Sequence, residues 1–225
     1  MQKLDLTKFI NPGDLVFDVG AHTGFKTIEY LKLGAKVVCF EPNYIAAIGL
    51  FQKFGGNPNV FIEVMGLYDK ETALKFHPGI LTAESTFSEI VFGGRQGIWN
   101  SPKLVHVSTL GRMFEVWGKP AFIKIDTEGF ETFVISGMPT AVPALSFEFN
   151  PNPPYDESYE ACVGMLVNMG YTNFNYVVNY TVDGVGIESD EYRFDNWVDY
   201  KTVLSGLREE PRQPGMNWGD VYAKT

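Results

Sequence analysis

Cysteine is scarce in this chain of 225 residues: Cys39 and Cys162 are the only two, with no C-x-x-C pair and no Cys/His ligand spacing. A disulfide framework and a structural zinc centre are thereby excluded, and a reducing compartment, the cytoplasm, is the expectation. Histidine is as sparse, with His22, His77 and His106 far apart. No apolar run nears the roughly 20 residues of a membrane span; the longest, Ile45 to Phe51, contains Gly49. The opening residues mix charge and polarity and lack the apolar core of a signal peptide. Basic residues are in deficit, 18 Lys and Arg against 27 Asp and Glu for a net charge of −9. A protein that neutralises phosphates needs basic surface, so neither nucleic acid nor an anionic membrane is expected as the main partner.

What is present suffices for one large core: 45% of residues are hydrophobic and 15% aromatic. At about 150 residues per domain the length predicts a single domain over residues 1–225. Asp14 to Val19, Ala35 to Phe40, Asn59 to Met65, Pro120 to Asp126, Ala144 to Phe149, Tyr171 to Val178 and Gly219 to Ala223 read as strands. Helical periodicity covers Phe25 to Leu33, Tyr44 to Phe54, Gly129 to Ser136 and Tyr159 to Met169, and glycine closes several of these segments. Strand and helix alternate. The prediction is therefore an α/β fold, a Rossmann-like, doubly wound, seven-stranded and mostly parallel sheet with helices on both faces. Ala73 to Phe76 is a short peripheral strand in this reading. Residues 78–103, rich in Gly, Ser, Thr and Pro, are expected to form an excursion or lid over one end of the sheet, and residues 179–217 a tail on the substrate side.

Ligands of such sheets sit beyond the carboxyl ends of the strands. There the first strand runs into Asp18-Val-Gly20-Ala-His-Thr-Gly24, and the second ends at Glu41-Pro42. A dinucleotide site uses G-x-G-x-x-G so that backbone amides and a helix amino end face a pyrophosphate. This loop has only G-x-x-x-G, behind a carboxylate that would repel a pyrophosphate but suits an ammonium or a sulfonium. Glu41 can offer two oxygens to ribose hydroxyls, which would fit NAD as well; Asp18 separates the two readings. The expected cofactor is S-adenosylmethionine, with S-adenosylhomocysteine as product. Its candidate contacts are Asp18, Gly20, Ala21, His22, Gly24, Glu41, Pro42, Gly66, Leu67 and Asp126. The bland alternative makes Asp18 and Glu41 mere strand-end acids near helix amino ends.

Phe122-Ile-Lys-Ile-Asp126 places Lys124 inside a strand that should be central, on the same face as Asp126. A buried ammonium requires pairing. Asp126 is the first candidate partner and Glu148, on a neighbouring strand, the second. Asp126, Glu128 and Glu148 then gather where a reactive methyl group should lie. Methyl transfer to a hydroxyl is an in-line substitution that gains from positioning and from a base. The candidate catalytic residues are those three carboxylates and Lys124, the last acting as base if burial depresses its pKa. Several acids together could instead hold a divalent cation, although no metal site is predicted, and a structural ion pair is the plainer reading of Lys124. His22 is placed to reach a substrate, whereas His77 and His106 are expected at surface or edge positions.

Val16 to Gly24, Val38-Cys-Phe-Glu-Pro42, Ser146-Phe-Glu-Phe149 and above all Ile123-Lys-Ile-Asp-Thr-Glu-Gly-Phe-Glu131 resemble the signature segments of the FkbM-type S-adenosylmethionine-dependent methyltransferases. The resemblance covers about residues 14–150 in ordered blocks. It implies the seven-stranded class I methyltransferase fold and, as in many relatives, O-methylation of a sugar, glycan or secondary-metabolite hydroxyl. A small-molecule or glycan acceptor is the expected partner, and its pocket is sought among the aromatic residues Tyr155, Tyr192, Trp197 and Trp218. Other readings stay open: N-methylation, although Asn152-Pro-Pro-Tyr155 follows the fifth strand rather than the fourth; an NAD-type oxidoreductase; and a catalytically silent S-adenosylmethionine-binding module. The oligomeric state is undetermined by the sequence.

Overall fold

In the computed structural model the described residues are 2–80, 85–94, 99–151, 158–182, 185–210 and 217–225. In chain order the strands are β1 (Leu15–Val19), β2 (Lys36–Phe40), β3 (Val60–Glu63), β4 (Gly66–Leu67), β5 (Thr72–Phe76), β6 (Lys103–Ser108), β7 (Phe122–Ile125), β8 (Ala144–Phe149), β9 (Asn173–Val182), β10 (Val185–Ile187) and β11 (Asn217–Lys224). The helices are α1 (Phe25–Lys32), α2 (Tyr44–Phe54), α3 (Glu89–Gly94), α4 (Leu110–Trp117), α5 (Glu131–Ser136), α6 (Ser158–Asn168) and α7 (Tyr200–Glu209).

The main sheet has the order β3-β2-β1-β7-β8-β11-β9-β10. It is parallel from β3 to β8, while β11 runs antiparallel to both its neighbours. The seven expected strands are all present, and β10 adds a three-residue hairpin edge beside β9. Period-two alternation sorts the central strands between two cores. Phe17, Val19, Ile123, Ile125, Leu145 and Phe147 pack with residues of α4, α5, α6 and α7, whereas Val16, Val37, Cys39 and Phe122 pack with Tyr30 of α1 and Leu50 and Phe54 of α2. Helices thus cover both faces. Because β1 has β2 on one side and β7 on the other, chain direction across the sheet reverses at β1, and a crevice opens above it.

Several elements depart from the sequence expectation. The excursion begins at a second, three-stranded sheet of order β4-β6-β5, in which β5 is peripheral as expected and β6 supplies an unanticipated centre. β6 escapes a sequence reading because most of its residues face solvent and only Val107 and Ser108 are buried. α4 follows at once, started by Thr109, whose hydroxyl accepts from the Arg112 amide. α7 lies inside the expected tail; Asp199 caps it, and Val203 and Leu207, one turn apart, bury its inner face. His77 is no surface residue: it is fully buried, stacks on Phe92 at 3.8 Å and meets Glu89 through Nε2 at 3.0 Å. His106 is exposed, as expected.

Candidate active site

The crevice is built on one close approach. Gly20, just past β1, has φ 80°, and a Cβ there would lie 1.7 Å from the backbone oxygen of Asp126, just past β7. Only glycine allows the two strand ends to meet this way. Gly24, with φ 72°, serves packing instead: a Cβ would meet the Phe54 ring at 2.4 Å, so this residue seats α1 against α2. At the end of β2, Glu41 is buried and accepts from the amides of His22 at 2.8 Å through Oε2 and Asn43 at 2.7 Å through Oε1. Burial raises its pKa to about 7, against the opposing pull of those two amides. Each oxygen keeps a lone pair for a further donor.

Asp18 occupies a different place from the one its sequence position suggests. Its carboxylate is buried beneath the crevice, facing α1, and accepts from Thr27 Oγ1 at 2.5 Å. Because that hydroxyl is already donating, the Cys39 thiol 3.2 Å away donates to it in turn. Burial brings the Asp18 pKa up to about 6. The crevice lining contains Val19, Gly20, His22, Glu41 and Pro42 but neither Asp18 nor Ala21 nor Gly24, which support it from behind. His22 lies partly buried at φ 46°, and burial lowers its pKa.

Lys124 is buried and forms ion pairs with Asp126 Oδ2 at 3.4 Å and with Asp220 of β11. Asp220, which the sequence reading missed, takes the direct contact that had been assigned to Glu148. Ser146, the register neighbour of Lys124 on β8, is small enough to let the ammonium pass toward β11. Burial alone would lower the Lys124 pKa, but the charges of Asp126, Asp220 and Glu148 outweigh it and hold the group well above its usual value. Lys124 is therefore a permanent cation, which corrects its candidacy as a base whose pKa burial would depress.

Asp126, Glu128 and Glu148 do converge. One carboxylate oxygen from each lies within 4.8 Å of the others, and all three residues line the crevice. Burial, then the charges of Asp126 and Glu128, raise the Glu148 pKa well above the usual glutamate range. Oxygen ligands at this spacing are the kind a hard cation takes. The crevice has a volume of about 420 Å³, and Met65, Gly66, Leu67, Phe76, Ser85, Phe87, Thr127, Phe130, Asn150 and Trp218 complete its walls. Gly66 is required there by the Phe87 ring, which a Cβ would meet at 2.5 Å. A second groove of about 700 Å³ adjoins it, sharing Pro42 and Phe76, with Tyr44, Ile45, Val64 and Leu104 among its walls.

Of the tail aromatics, Trp218 alone reaches the crevice among the described residues. Tyr192 is buried in the core on the α1 side, with Trp197 packed against it at 5.6 Å. Tyr155, and with it the Asn152-Pro-Pro-Tyr155 segment, lies outside the described residues, as do residues 81–84 and 95–98 of the excursion and 183–184 and 211–216 of the tail.

A mostly parallel sheet in which β11 runs reversed between β8 and β9, a glycine crossing at the switch point and an acid closing the second strand define a class I S-adenosylmethionine-dependent methyltransferase. The chain belongs to the FkbM methyltransferase family: the Methyltransferase FkbM domain profile matches residues 18–178. Solved structures are similar to the chain at low identity. A structure titled precorrin 8W decarboxylase, from Methanobacterium thermoautotrophicum, is 11% identical, with a TM-score of 0.50 over 98% of this chain and 87% of that one. Precorrin-6y C5,15-methyltransferase from Geobacter metallireducens is 10% identical, with a TM-score of 0.48 over 98% and 85%. A SAM-dependent methyltransferase from Aquifex aeolicus is 16% identical, with a TM-score of 0.43 over 97% and 86%. No curated protein sequence matches at a significant level. No described helix is long and apolar enough to cross a membrane.

The residues present fit the cofactor that the family implies. Glu41 has acceptor capacity left for ribose hydroxyls, Gly20 keeps the crevice floor free of side chain, and the acids around it favour a positively charged ligand over a pyrophosphate.

Proposed function

We propose that the protein O-methylates a hydroxyl of a small molecule, a sugar, glycan or secondary metabolite, with S-adenosylmethionine as donor. The observation that carries this reading is the Asp126, Glu128 and Glu148 group, set across β1 from Glu41 in one crevice. S-adenosylmethionine, when bound, supplies an electrophilic methyl on a sulfonium. Glu41 and the loop from Gly20 to His22 bind its adenosine end. Glu148 holds a proton more tightly than an ordinary glutamate, so its ionised form is the base best suited to take the proton of an acceptor hydroxyl. A positive charge in the crevice favours that ionised form. Asp126 and Glu128 accept from further acceptor hydroxyls and orient them, Lys124 fixes Asp126 from below, and Trp218 and Phe87 exclude water. The adjoining groove offers apolar walls to the part of the acceptor that does not react.

The test is a panel of hydroxylated and aminated acceptors incubated with S-adenosylmethionine and read by mass for the gain of one methyl group. Transfer to a hydroxyl, reduced about 10²- to 10⁴-fold in Glu148→Gln with S-adenosylhomocysteine binding kept, supports the reading. Transfer only to amines would move it to N-methylation. A thermal shift with NAD equal to that with S-adenosylhomocysteine would remove the cofactor assignment.

A further inference from the structure

The loop between β7 and α5 carries the reactive carboxylates, and its backbone is under strain. Glu128 has φ 54°, in the left-handed region that a side chain with a Cβ rarely adopts. Such a conformation persists only where its surroundings over-determine it. Two sets of hydrogen bonds do so. From below, the buried Glu131 carboxylate accepts through Oε1 from the Thr127 amide at 2.8 Å, the Thr127 hydroxyl at 3.0 Å and the Gly129 amide at 3.3 Å, one residue to either side of Glu128. From above, Thr86 Oγ1 donates to the Glu128 carbonyl at 2.7 Å.

Thr86 belongs to the excursion, 42 residues earlier in the chain. It is buried, does not line the crevice, and is fixed by a reciprocal pair of backbone hydrogen bonds with His77. Its neighbour Ser85 accepts from Asn43 Nδ2 at 2.9 Å, and Asn43 in turn donates its amide to Glu41. Phe87, on the other side, packs against Phe130 at 5.4 Å. Residues 85–87 therefore strap the crevice, one end on the wall that holds Glu41 and the other on the loop that holds Glu128.

We propose that Thr86 is a positioning residue: its hydroxyl, delivered by the excursion, holds the strained Glu128 backbone so that the Glu128 carboxylate faces Asp126 and Glu148 across the crevice. The methyltransferase reading enters only in the last step, that transfer slows when Glu128 is released. Glu131 reaches the planar peptide between Glu128 and Gly129 only through the Gly129 amide, at 3.3 Å the longest of its three bonds; the Thr86 hydroxyl holds the carbonyl of that same peptide at 2.7 Å from the other side.

Thr86→Val keeps the shape and removes the donor to Glu128 together with the acceptor of the Ser88 amide at 2.9 Å, and Thr86→Ser restores both. Backbone amide exchange at Thr127 and Gly129 is expected to rise at least about tenfold in Thr86→Val and to stay at the starting rate in Thr86→Ser. Affinity for S-adenosylhomocysteine is expected to stay within about twofold, since one lost hydrogen bond remote from the adenosine end leaves Glu41 in place. With a hydroxylated acceptor from the panel above, kcat is expected to fall about tenfold while KM for S-adenosylmethionine holds. Unchanged exchange at Thr127 and Gly129 in Thr86→Val would overturn the proposal, as would a Thr86→Ser variant that behaves like Thr86→Val. Exchange that rises evenly across the whole chain would overturn it too, by making Thr86 a plain stability residue. Failure of the unaltered protein to bind S-adenosylhomocysteine would instead sink the methyltransferase reading, and the exchange data would decide the role of Thr86 on their own.

Discussion

Two buried acids, Glu41 in the crevice wall and Asp18 beneath it, make the fold less stable as pH rises, and the size of that effect follows from their burial. Glu41 titrates ordinarily near 4.5 and is raised to about 7. Asp18 goes from 3.8 to about 6. At about 1.4 kcal/mol per pH unit each gap corresponds to about 3 kcal/mol. The sign is fixed by proton count. Between its unfolded and folded pKa each group binds more protons in the folded chain than in the unfolded one, so stability is lost as pH rises through that window. Glu41 is expected to withdraw about 3 kcal/mol between about pH 4.5 and 7.5, and Asp18 a similar amount about one unit lower.

Glu41→Gln isolates the first of these. The amide can accept from only one of the His22 and Asn43 amides, and its NH₂ opposes the other, which costs about 1–3 kcal/mol at any pH. The variant is therefore less stable than the unaltered protein at pH 5. At pH 8, where ionised Glu41 carries its own penalty of about 3 kcal/mol, the variant should be equal to it or more stable. Urea unfolding followed by tryptophan fluorescence from pH 5 to 8 reads both curves. His22, whose lowered pKa acts in the opposite sense below its ordinary 6.5, contributes to both and drops out of the difference. Stability curves that converge or cross near pH 7 support the argument. Curves that stay parallel across the range would refute it, because Glu41 would then have no folded pKa near 7.

Gly20→Ala places a Cβ against the Asp126 carbonyl at φ 80°, and since neither strand end can yield, a loss of at least about 3 kcal/mol is expected; a urea midpoint that barely moves would show that the two ends are not held together. Lys124→Met leaves Asp220 an unpaired buried charge and should cost about 3–5 kcal/mol. The double variant Lys124→Met/Asp220→Leu should recover most of that loss in a double-mutant cycle, and strictly additive losses would show that the pair is not coupled.

The parts of the fold that could be read from the sequence are those whose burial leaves a one-dimensional trace. β1, β2, β7 and β8 are covered on both faces, so each is an almost unbroken apolar run bounded by Gly or Pro. β6 is not: Lys103, Leu104 and His106 are exposed, and its pairing with β5 and β4 leaves no alternation to detect. α7 buries only Val203 and Leu207, too narrow a stripe to separate from a loop. The site divides the same way. Glu41, Asp126 and Glu148 sit at strand ends, where the strand order gathers them, whereas Glu128 stands in the loop past β7 and depends on the contacts that hold that loop.

Asp18 shows where that logic stops. Alternation says that Asp18 shares a face with Val16 and not with Val19, but which face receives α1 and which rims the crevice is a property of the crossover. The carboxylate consequently went to Thr27, and its long-range field rather than a contact is what it lends the crevice. Asp220 could have been found by the argument applied to Lys124, since a charge in an apolar strand demands a partner and the last strand carried the one matching acid. Thr86 carries no such signal: a hydroxyl in a Gly- and Ser-rich excursion is unremarkable until 42 residues of chain bring it to a carbonyl held at positive φ. Glu41, Asp126 and Glu148 are set by the sheet, whereas Glu128 is held by the excursion, which also walls the crevice through Ser85 and Phe87. Acceptor choice should then follow the excursion and the groove beside it, so grafting residues 78–103 from a relative should change the acceptor methylated while leaving S-adenosylhomocysteine affinity at Glu41 as it was.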